Sequence, residues 1–319
     1  MTGEIRVGLV GAGAIARVAE LPALASQPGV KVAGVVASDF PSAERCAQLW
    51  SIERAYPSVA GMLEGARLDA LFVLTPKTLH TQFVEDGLRH GLDVFCEKPL
   101  TTRVAEGRAL AELARETGRI LMVGFNRRYA PVYQIAHERL SGQQVRFALA
   151  QKHRNGTEYR ATLENAIHMV DLLRWFCGEA TEVAAQTVAV DPYNEEGSAA
   201  LLRFSSGAVG SLVAARCAGE WEESLHVFGE ATTVRVLAPD WVEVSEGGST
   251  RRVEMRSLAN GWAQVNNTLG FGPEVEHFIR CVRTRETPLT SADEAILTQA
   301  LTERILVAAG LPLEDKLST

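Results

Sequence analysis

The chain has 319 residues, 46% of them hydrophobic and 22% charged, which is typical of a globular protein with about two domains. Its formal net charge is -7 and its basic runs are no longer than two arginines, which argues against nucleic acid as a partner. No apolar stretch approaches the roughly 18 residues of a membrane span, so we expect no membrane partner either.

The five cysteines are odd in number, widely spaced and without a C-x-x-C pair. This pattern argues against a disulfide framework and against a zinc site built from thiolates. It is typical of reduced thiols in a cytoplasmic protein, which is the localisation we predict.

The first residues superficially resemble a secretion signal, with an apolar run over residues 7–15. However, Glu4 precedes the run, and Arg17 and Glu20 follow it. Cleavage after Ala25 would also remove the glycine motif described below, so we expect no secretion.

The first part of the chain alternates strand-like apolar runs with helical patterns. Strands are predicted over residues 5–10, 31–37, 71–74, 93–96 and 119–124, and helices over 14–27, 42–49, 78–90 and 104–117. Pro22 should end or kink the first helix early, and Gly91 is well placed to stop the third. The alternation predicts βαβ units in a doubly wound parallel sheet, forming a dinucleotide-binding Rossmann domain over residues 1–123.

The pattern changes after about residue 124. Strands are predicted over residues 145–152, 182–190, 199–204, 208–214, 224–229, 232–237 and 241–245, and helices over 168–177, 274–283 and 291–309. We therefore predict a second, α+β domain over residues 124–319, with a mostly antiparallel sheet that has helices on one face and is open on the other.

Residues 11–16 form a G-x-G-x-x-A motif between the first strand and the first helix. Gly11 would permit the tight turn, Gly13 the approach of a pyrophosphate, and Ala16 close packing of helix and strand. Ala14 and Ile15 would begin the helix, whose free N–H groups and positive dipole end favour phosphate. The motif predicts dinucleotide binding; the alternative is a glycine turn that serves packing alone.

The end of the second strand should select the coenzyme, because an acidic side chain there binds ribose hydroxyls. Ala37 occupies the expected position, Ser38 could bind a hydroxyl or a phosphate, and Asp39 lies two residues later. No arginine follows within the next few residues, so the residues leave NAD and NADP both open.

Glu97, Lys98 and Pro99 follow directly after the strand at 93–96, where open α/β sheets bind their ligands. A lysine beside a positively charged nicotinamide ring would have a lowered pKa, which suits proton transfer. The alternative is a surface lysine that pairs with Glu97.

Glu164, His168 and Asp171 have spacings of four and three residues, which place them on about the same face of a helix. Histidine titrates near neutrality and is a natural proton shuttle. The alternatives are a solvated polar face or a metal site. No other tight cluster of ligands is visible, so we expect no metal.

With these motifs in place, the chain resembles the Gfo/Idh/MocA oxidoreductases, which include glucose–fructose oxidoreductase and inositol dehydrogenase. The resemblance extends over essentially the whole chain. It rests on the segments 11–16, 91–100 and 123–129, on Thr75-Pro76 with His80, and on His168 with residues 171–173.

The resemblance implies a nicotinamide cofactor, NAD or NADP, and a C-terminal domain whose open sheet forms homodimers or homotetramers. Lys98 matches the catalytic lysine of the family and His168 its catalytic histidine. The bond between Lys98 and Pro99 is often cis in the family. The family positions that line the cofactor are occupied here by Thr75, Pro76, His80 and Glu97. The residues expected on the substrate side are Asn126, Arg128 and Asn165.

One segment departs from the family, whose active-site helix commonly reads D-x-G-x-H. Glu164 replaces the aspartate with a longer acid, and Ala166 adds a methyl group where glycine is usual. Glu164 is expected to orient His168 or the substrate, and the departure leaves the particular substrate open.

The sequence therefore predicts an NAD(P)-dependent oxidoreductase that moves a hydride between nicotinamide and a carbinol or carbonyl carbon of a sugar, sugar derivative or polyol. Lys98 is the expected acid/base, with His168 holding or relaying the hydroxyl proton. Two alternatives are a non-catalytic nucleotide-binding regulatory protein and a reductase of C=C or C=N bonds.

Overall fold

The computed structural model describes residues 3–156, 160–191, 193–255 and 265–313. The chain divides into a first unit, Met1–Asn126 with Gly270–Ile296, and a second unit, Arg127–Leu269 with Leu297–Thr319. The division after residue 126 lies close to the predicted boundary after residue 123. Residues 270–296 pack with the first unit, whereas the sequence pattern placed them in the second.

The elements alternate between strand and helix in the first part of the chain and are mainly strands afterwards. The strands are β1 (Ile5–Val10), β2 (Val30–Val36), β3 (Ala70–Val73), β4 (Asp93–Glu97), β5 (Leu121–Gly124), β6 (Phe147–Asn155), β7 (Ala180–Asp191), β8 (Asn194–Phe204), β9 (Val209–Ala215), β10 (Cys217–Phe228), β11 (Thr232–Leu237), β12 (Trp241–Glu246) and β13 (Ser249–Glu254). The helices are α1 (Leu21–Ala25), α2 (Phe40–Trp50), α3 (Val59–Gly65), α4 (His80–Arg89), α5 (Val104–Thr117), α6 (Pro131–Leu140), α7 (Ile167–Cys177), α8 (Val265–Thr268), α9 (Phe271–Thr284) and α10 (Ala292–Ala308).

The first unit contains a five-stranded parallel sheet in the order β2-β1-β3-β4-β5, which confirms the predicted doubly wound sheet. Every residue of β3 and β4 is buried, as expected for strands covered on both faces. The strand order reverses at β1, and ligands of such sheets bind beyond the carboxyl ends of the strands at that point.

Helix α9 belongs to the first unit because its apolar face packs against the parallel sheet. The ring of Phe278 contacts Phe72 in β3 and Phe95 in β4, with centroid distances of 5.2 and 5.7 Å. In addition, the backbone N–H of Val123 in β5 donates a hydrogen bond to the carbonyl oxygen of Thr290, which follows α9 in the chain. These contacts explain why residues 270–296 leave the predicted second domain.

The second unit contains an eight-stranded sheet in the order β13-β12-β11-β10-β6-β9-β8-β7. It is antiparallel except for the pair β6 and β9, which confirms the predicted mostly antiparallel sheet. Burial alternates along β6, with Ala148 and Ala150 in the core and Phe147 and Leu149 exposed. One face is therefore covered and the other open, as predicted.

The elements missed by the sequence pattern have weak local signals. Helix α3 carries two glycines and α6 begins at a proline, while β13 is a polar edge strand.

Pro22 lies in the first turn of α1, where a missing N–H is tolerated, and the π-helical turn Ala16–Glu20 precedes it. Within the described residues, no helix combines the length and the apolar character needed to cross a bilayer.

Candidate active site

A pocket of about 720 Å³ lies at the carboxyl ends of β1, β2 and β3 in the first unit. It opens at the switch point of the sheet, where a dinucleotide is expected. The residues that line it come from the loops after these three strands and from the helices that follow: Val10, Gly11, Ala12, Gly13, Arg17, Val36, Ala37, Ser38, Ser42, Arg45, Cys46, Leu49, Leu74, Thr75, Pro76, Leu79 and Phe83.

The two glycines of the motif have different structural roles. Gly11 has a φ of +105°, and a Cβ on it would lie 2.6 Å from the Leu74 carbonyl oxygen, so the close approach of two loops requires glycine. A Cβ on Gly13 would meet no atom within 4 Å. The open space beside Gly13 fits a pyrophosphate, and the motif therefore suits a dinucleotide. Ala14, Ile15 and Ala16 begin the following helix, and Ala16 is fully buried.

Thr75 and His80 define the wall of the pocket beyond β3. The Thr75 hydroxyl is buried, has no hydrogen-bond partner among the described residues and belongs to the pocket lining. Nδ1 and Nε2 of His80 lie 2.8 Å from the carbonyl oxygens of Pro99 and Thr75. Burial lowers the pKa of His80, while the contacts with the two carbonyl oxygens act in the opposite direction. His80 thus connects the loop after β3 with the loop after β4.

Lys98 follows β4 at the same edge of the sheet and is half-buried. The buried carboxylate of Glu97 accepts a hydrogen bond of 3.1 Å from the Lys98 backbone N–H, and the Lys98–Pro99 bond is cis, as the resemblance implies. Glu20 is also fully buried, and burial together with the nearby Glu97 raises its pKa. Asn126, two residues after β5, is 1% exposed.

In the second unit, Arg128 and Asp171 form a buried bidentate ion pair. The Nε and Nη2 atoms of Arg128 each donate to an Asp171 oxygen at 2.8 Å. Thr298 donates to Asp171 at 2.9 Å and accepts from Arg174 at 2.8 Å. Asp171, which the helical spacing grouped with His168, is therefore part of a buried structural network.

Glu164 lies in a π-helical turn, Ala161–Ala166, and His168 lies at the start of α7, which follows it directly. Glu164 accepts a hydrogen bond of 2.8 Å from the backbone N–H of Arg160. His168 is 7% exposed, and the amide nitrogen of Asn165 is buried without a partner among the described residues.

A second buried charge cluster surrounds Glu223 on β10. Its carboxylate is fully buried and accepts from Arg127 at 2.8 and 2.9 Å, from Tyr133 at 2.8 Å and from Lys152. Burial alone would raise the pKa of Glu223, but Arg127 and Lys152 hold it well below its usual range. The group is therefore ionised and compensated.

One cluster has the composition of a metal site. His277, Cys281 and Glu286 place their ligand atoms within 4.8 Å of one another. Arg280 donates to Glu286 at 2.6 Å and also contacts His277, which puts a positive charge inside the cluster. The charge disfavours a cation at this position.

The pocket lining includes two arginines and a serine that the sequence pattern did not assign to the site, namely Arg17, Arg45 and Ser42. Ser42 and Arg45 are one turn apart on α2, so they share a face, and Arg45 donates to Ser42 Oγ at 2.7 Å. The available signal was the spacing of three residues within a helix that follows the second strand.

Comparison with known proteins gives matches over both units. The oxidoreductase family GFO/IDH/MocA, NAD-binding Rossmann fold, matches residues 5–125, and the GFO/IDH/MocA C-terminal domain matches residues 118–235. D-apiose dehydrogenase of Paraburkholderia graminis is 28% identical, with coverage of 88% of this chain and 81% of its own. scyllo-Inositol 2-dehydrogenase (NAD(+)) of Bacillus subtilis is 25% identical, with coverage of 93% and 92%.

Among solved structures, a dehydrogenase from Chromobacterium violaceum has a TM-score of 0.89 at 22% identity, over 97% of this chain and 96% of that chain. At this identity the likeness concerns the fold. A parallel sheet with a glycine-lined pocket at its switch point, together with these matches, defines an oxidoreductase of the dehydrogenase class with a nicotinamide-dinucleotide-binding domain. The chain belongs to the GFO/IDH/MocA oxidoreductase family, which confirms the predicted family, fold and cofactor class.

Proposed function

We propose that this enzyme transfers a hydride between its nicotinamide cofactor and a carbinol or carbonyl carbon of a sugar, sugar derivative or polyol. The observation that carries the proposal is the position of Lys98 in the first unit. It follows β4 at the edge of the sheet where the cofactor pocket opens beyond β1 to β3. The names of the relatives, D-apiose and scyllo-inositol dehydrogenases, support the substrate class.

In this proposal, the first unit holds the cofactor through Gly11, Gly13 and the start of the following helix at Ala14 to Ala16. When bound, the nicotinamide supplies the acceptor or donor of the hydride. Ser38, Thr75 and Pro76 line the pocket. The buried Thr75 hydroxyl, which has no hydrogen-bond partner among the described residues, is available there to bind the cofactor. Glu97 fixes the backbone that carries Lys98.

Side chains of the protein accept and return the hydroxyl proton of the substrate. Lys98 takes the hydroxyl proton when the alcohol is oxidised and returns it when the carbonyl is reduced. His168, whose side-chain type titrates near neutrality, holds or relays that proton, and Glu164 orients His168 or the substrate. Asn126, Arg128 and Asn165 are assigned to the substrate side. The Asn165 amide nitrogen, buried and unpartnered among the described residues, supports its assignment.

The proposal is tested by comparing Lys98→Ala with Lys31→Ala, which removes a lysine from the first residues of β2, at the opposite edge of the sheet. Turnover is measured on a panel of polyols, aldoses and ketoses with both coenzymes, and coenzyme affinity by energy transfer from tryptophan to NAD(P)H. Loss of a positioned acid/base lowers turnover by about 10²- to 10⁴-fold, so Lys98→Ala should lose turnover and keep its affinity.

The Lys31→Ala control should retain both turnover and affinity. Near-normal turnover of Lys98→Ala would refute the acid/base role. Activity confined to an enone or an imine would replace the alcohol–carbonyl assignment.

We further propose that the open face of the second sheet pairs with another copy of the chain, and that the protein acts in the cytoplasm. The adjacent strands β6, β9 and β8 expose Phe147, Leu149, Val213 and Leu201, with Phe147 and Leu201 each more than half exposed. Contiguous apolar surface of this kind is typical of interfaces. Light scattering should give a multiple of 34.6 kDa, and a mass of one chain would contradict the proposal.

A further inference from the structure

Strand β8 packs against the π-helical turn Ala161–Ala166, and two polar side chains of the strand face that turn. Glu195 is fully buried, and Ser198 is buried as well. In a regular strand, residues three apart point to opposite faces. Here the pairing of β8 with β7 shifts by one position at Glu196, which is the extra residue of a β-bulge. The bulge therefore allows both polar side chains to lie on the buried face of the strand.

The two side chains contact Thr162, near the start of the turn. Glu195 Oε1 accepts a hydrogen bond of 3.2 Å from the Thr162 backbone N–H, and the hydroxyl oxygens of Ser198 and Thr162 lie 2.8 Å apart. The first N–H groups of a helix have no acceptor within the helix itself. Glu195 thus supplies, from a neighbouring strand, an acceptor that the start of the turn needs.

The charge of Glu195 has a separate partner. A fully buried carboxylate requires a compensating charge, and Glu195 Oε2 lies 3.6 Å from Nε of the buried Arg160. Arg160 Nη2 donates to the Pro312 carbonyl oxygen at 2.8 Å, so its guanidinium connects the start of the turn with the segment after α10. Glu195 therefore makes two contacts that can be removed independently, an ion pair with Arg160 and a hydrogen bond to the turn.

The turn carries residues on which the proposed function depends. Asn165 lies in the turn, and His168 follows two residues after its end, in α7. π-Helical turns are rare and occur frequently at functional sites. A displacement of about 1 Å in a positioned group lowers turnover by up to about 100-fold. A contact that fixes the start of the turn therefore also affects the position of both side chains.

We propose that Glu195, assisted by Ser198, is a positioning residue for the substrate side of the second unit, because it holds the Thr162 N–H and thereby fixes Asn165 and His168. The inference rests on the proposed function and adds to it a residue from β8. Since Glu195 is fully buried, it acts through the turn and not on the substrate.

Two substitutions of Glu195 separate its two contacts. Glu195→Gln removes the charge that faces Arg160 and keeps an oxygen for the Thr162 N–H, whereas Glu195→Ala removes both. Both variants should unfold at lower urea concentration than the wild type, because both leave Arg160 uncompensated. Turnover should stay within about threefold of wild type in Glu195→Gln and fall by about 10- to 100-fold in Glu195→Ala. Coenzyme affinity should stay within about twofold of wild type in both variants, since the coenzyme binds the first unit.

Ser198→Ala is a milder variant, and it decides the question if the Glu195 variants do not fold. A single hydrogen bond is worth about 2- to 10-fold, so turnover should fall by that factor. The matched control is Thr302→Ala, which removes another buried hydroxyl of the second unit. That hydroxyl donates to the Thr298 carbonyl oxygen at 2.9 Å within α10, and its loss should leave turnover unchanged.

Amide hydrogen exchange of peptides that span residues 160–168 measures the turn without any substrate. Exchange should become about 10- to 100-fold faster in Glu195→Ala, which loses a hydrogen bond to a charged acceptor, and about 2- to 10-fold faster in Ser198→Ala. Glu195→Gln and Thr302→Ala should exchange at the wild-type rate. This readout separates a loosened turn from a general loss of stability, which Glu195→Gln and Glu195→Ala share.

Folded Glu195→Ala with wild-type turnover would overturn the inference. Equal losses of turnover in Glu195→Gln and Glu195→Ala would also overturn it, because they would assign the effect to the missing charge. Wild-type exchange of the turn in Glu195→Ala and Ser198→Ala would do the same. A wild-type protein that turns over no sugar or polyol with either coenzyme would instead contradict the proposed function, and the exchange measurement would still decide whether Glu195 holds the turn.

Discussion

Replacing Gly11 by alanine should lower the stability of the protein, whereas replacing Gly13 should lower its affinity for the cofactor. In Gly11→Ala the new methyl group meets the Leu74 carbonyl oxygen at 2.6 Å, and the φ of +105° disfavours any Cβ. The conformation alone costs about 1–2 kcal/mol, and the overlap with a backbone atom brings the expected loss of unfolding free energy to about 2–4 kcal/mol. In Gly13→Ala the methyl group has no neighbour within 4 Å, so stability should change by less than about 0.5 kcal/mol.

At Gly13, the expected effect of the substitution is a loss of cofactor affinity and not a loss of stability. A methyl group there occupies the space assigned to the pyrophosphate, and affinity should fall by about tenfold or more, equivalent to about 1.4 kcal/mol. Urea denaturation of the cofactor-free protein measures the first effect, and titration with NADPH and NADH the second. Unchanged coenzyme affinity in Gly13→Ala would refute the assignment of that space, and unchanged stability in Gly11→Ala would refute the packing argument.

Two further outcomes concern the buried Glu223 of the second unit. Glu223→Gln leaves its two buried cationic partners without compensation and should lower the unfolding free energy by about 3–5 kcal/mol at neutral pH. The control Glu230→Gln, which breaks an exposed pair with Arg146, should cost less than about 1 kcal/mol in the same urea assay. Because the folded-state pKa of Glu223 is lowered, its contribution is present above the ordinary value of 4.5 and is lost as the pH falls below it. The difference in unfolding free energy between the wild type and Glu223→Gln should therefore decrease in acid. A difference that does not change with pH would show that the carboxylate charge is not its source.

Much of the first unit follows from local sequence patterns. The apolar run at β3 could be read as a strand because both faces of a parallel sheet need apolar side chains. Helix α5 has the predicted bounds, since an amphipathic pattern and a glycine stop at Gly118 define it locally. The glycine motif predicted the loop at the switch point for the same reason, because conformational freedom at Gly11 is a property of one residue.

Other features depend on contacts between residues far apart in the chain. The sequence pattern assigned residues 270–296 to the second domain, but Phe278 packs on Phe72, which lies in another part of the sequence. The spacing that grouped Asp171 with His168 could not show its bidentate partner, Arg128. A buried charge is compensated by whichever opposite charge the fold places beside it, and spacing does not encode that.

The class of protein follows from local sequence features. Strand periodicity, the glycine motif and the residues around Lys98 can be interpreted chemically before the fold is known. The set of side chains that share the cofactor pocket, in contrast, depends on how the chain folds. Asp39 lies close in sequence to where a ribose-binding acid belongs, yet its carboxylate caps α2, while Arg45, six residues later, lines the pocket. The physical reason is that a side chain's partner is set by its direction and by competing hydrogen bonds, and these are defined when α2 packs beside β2.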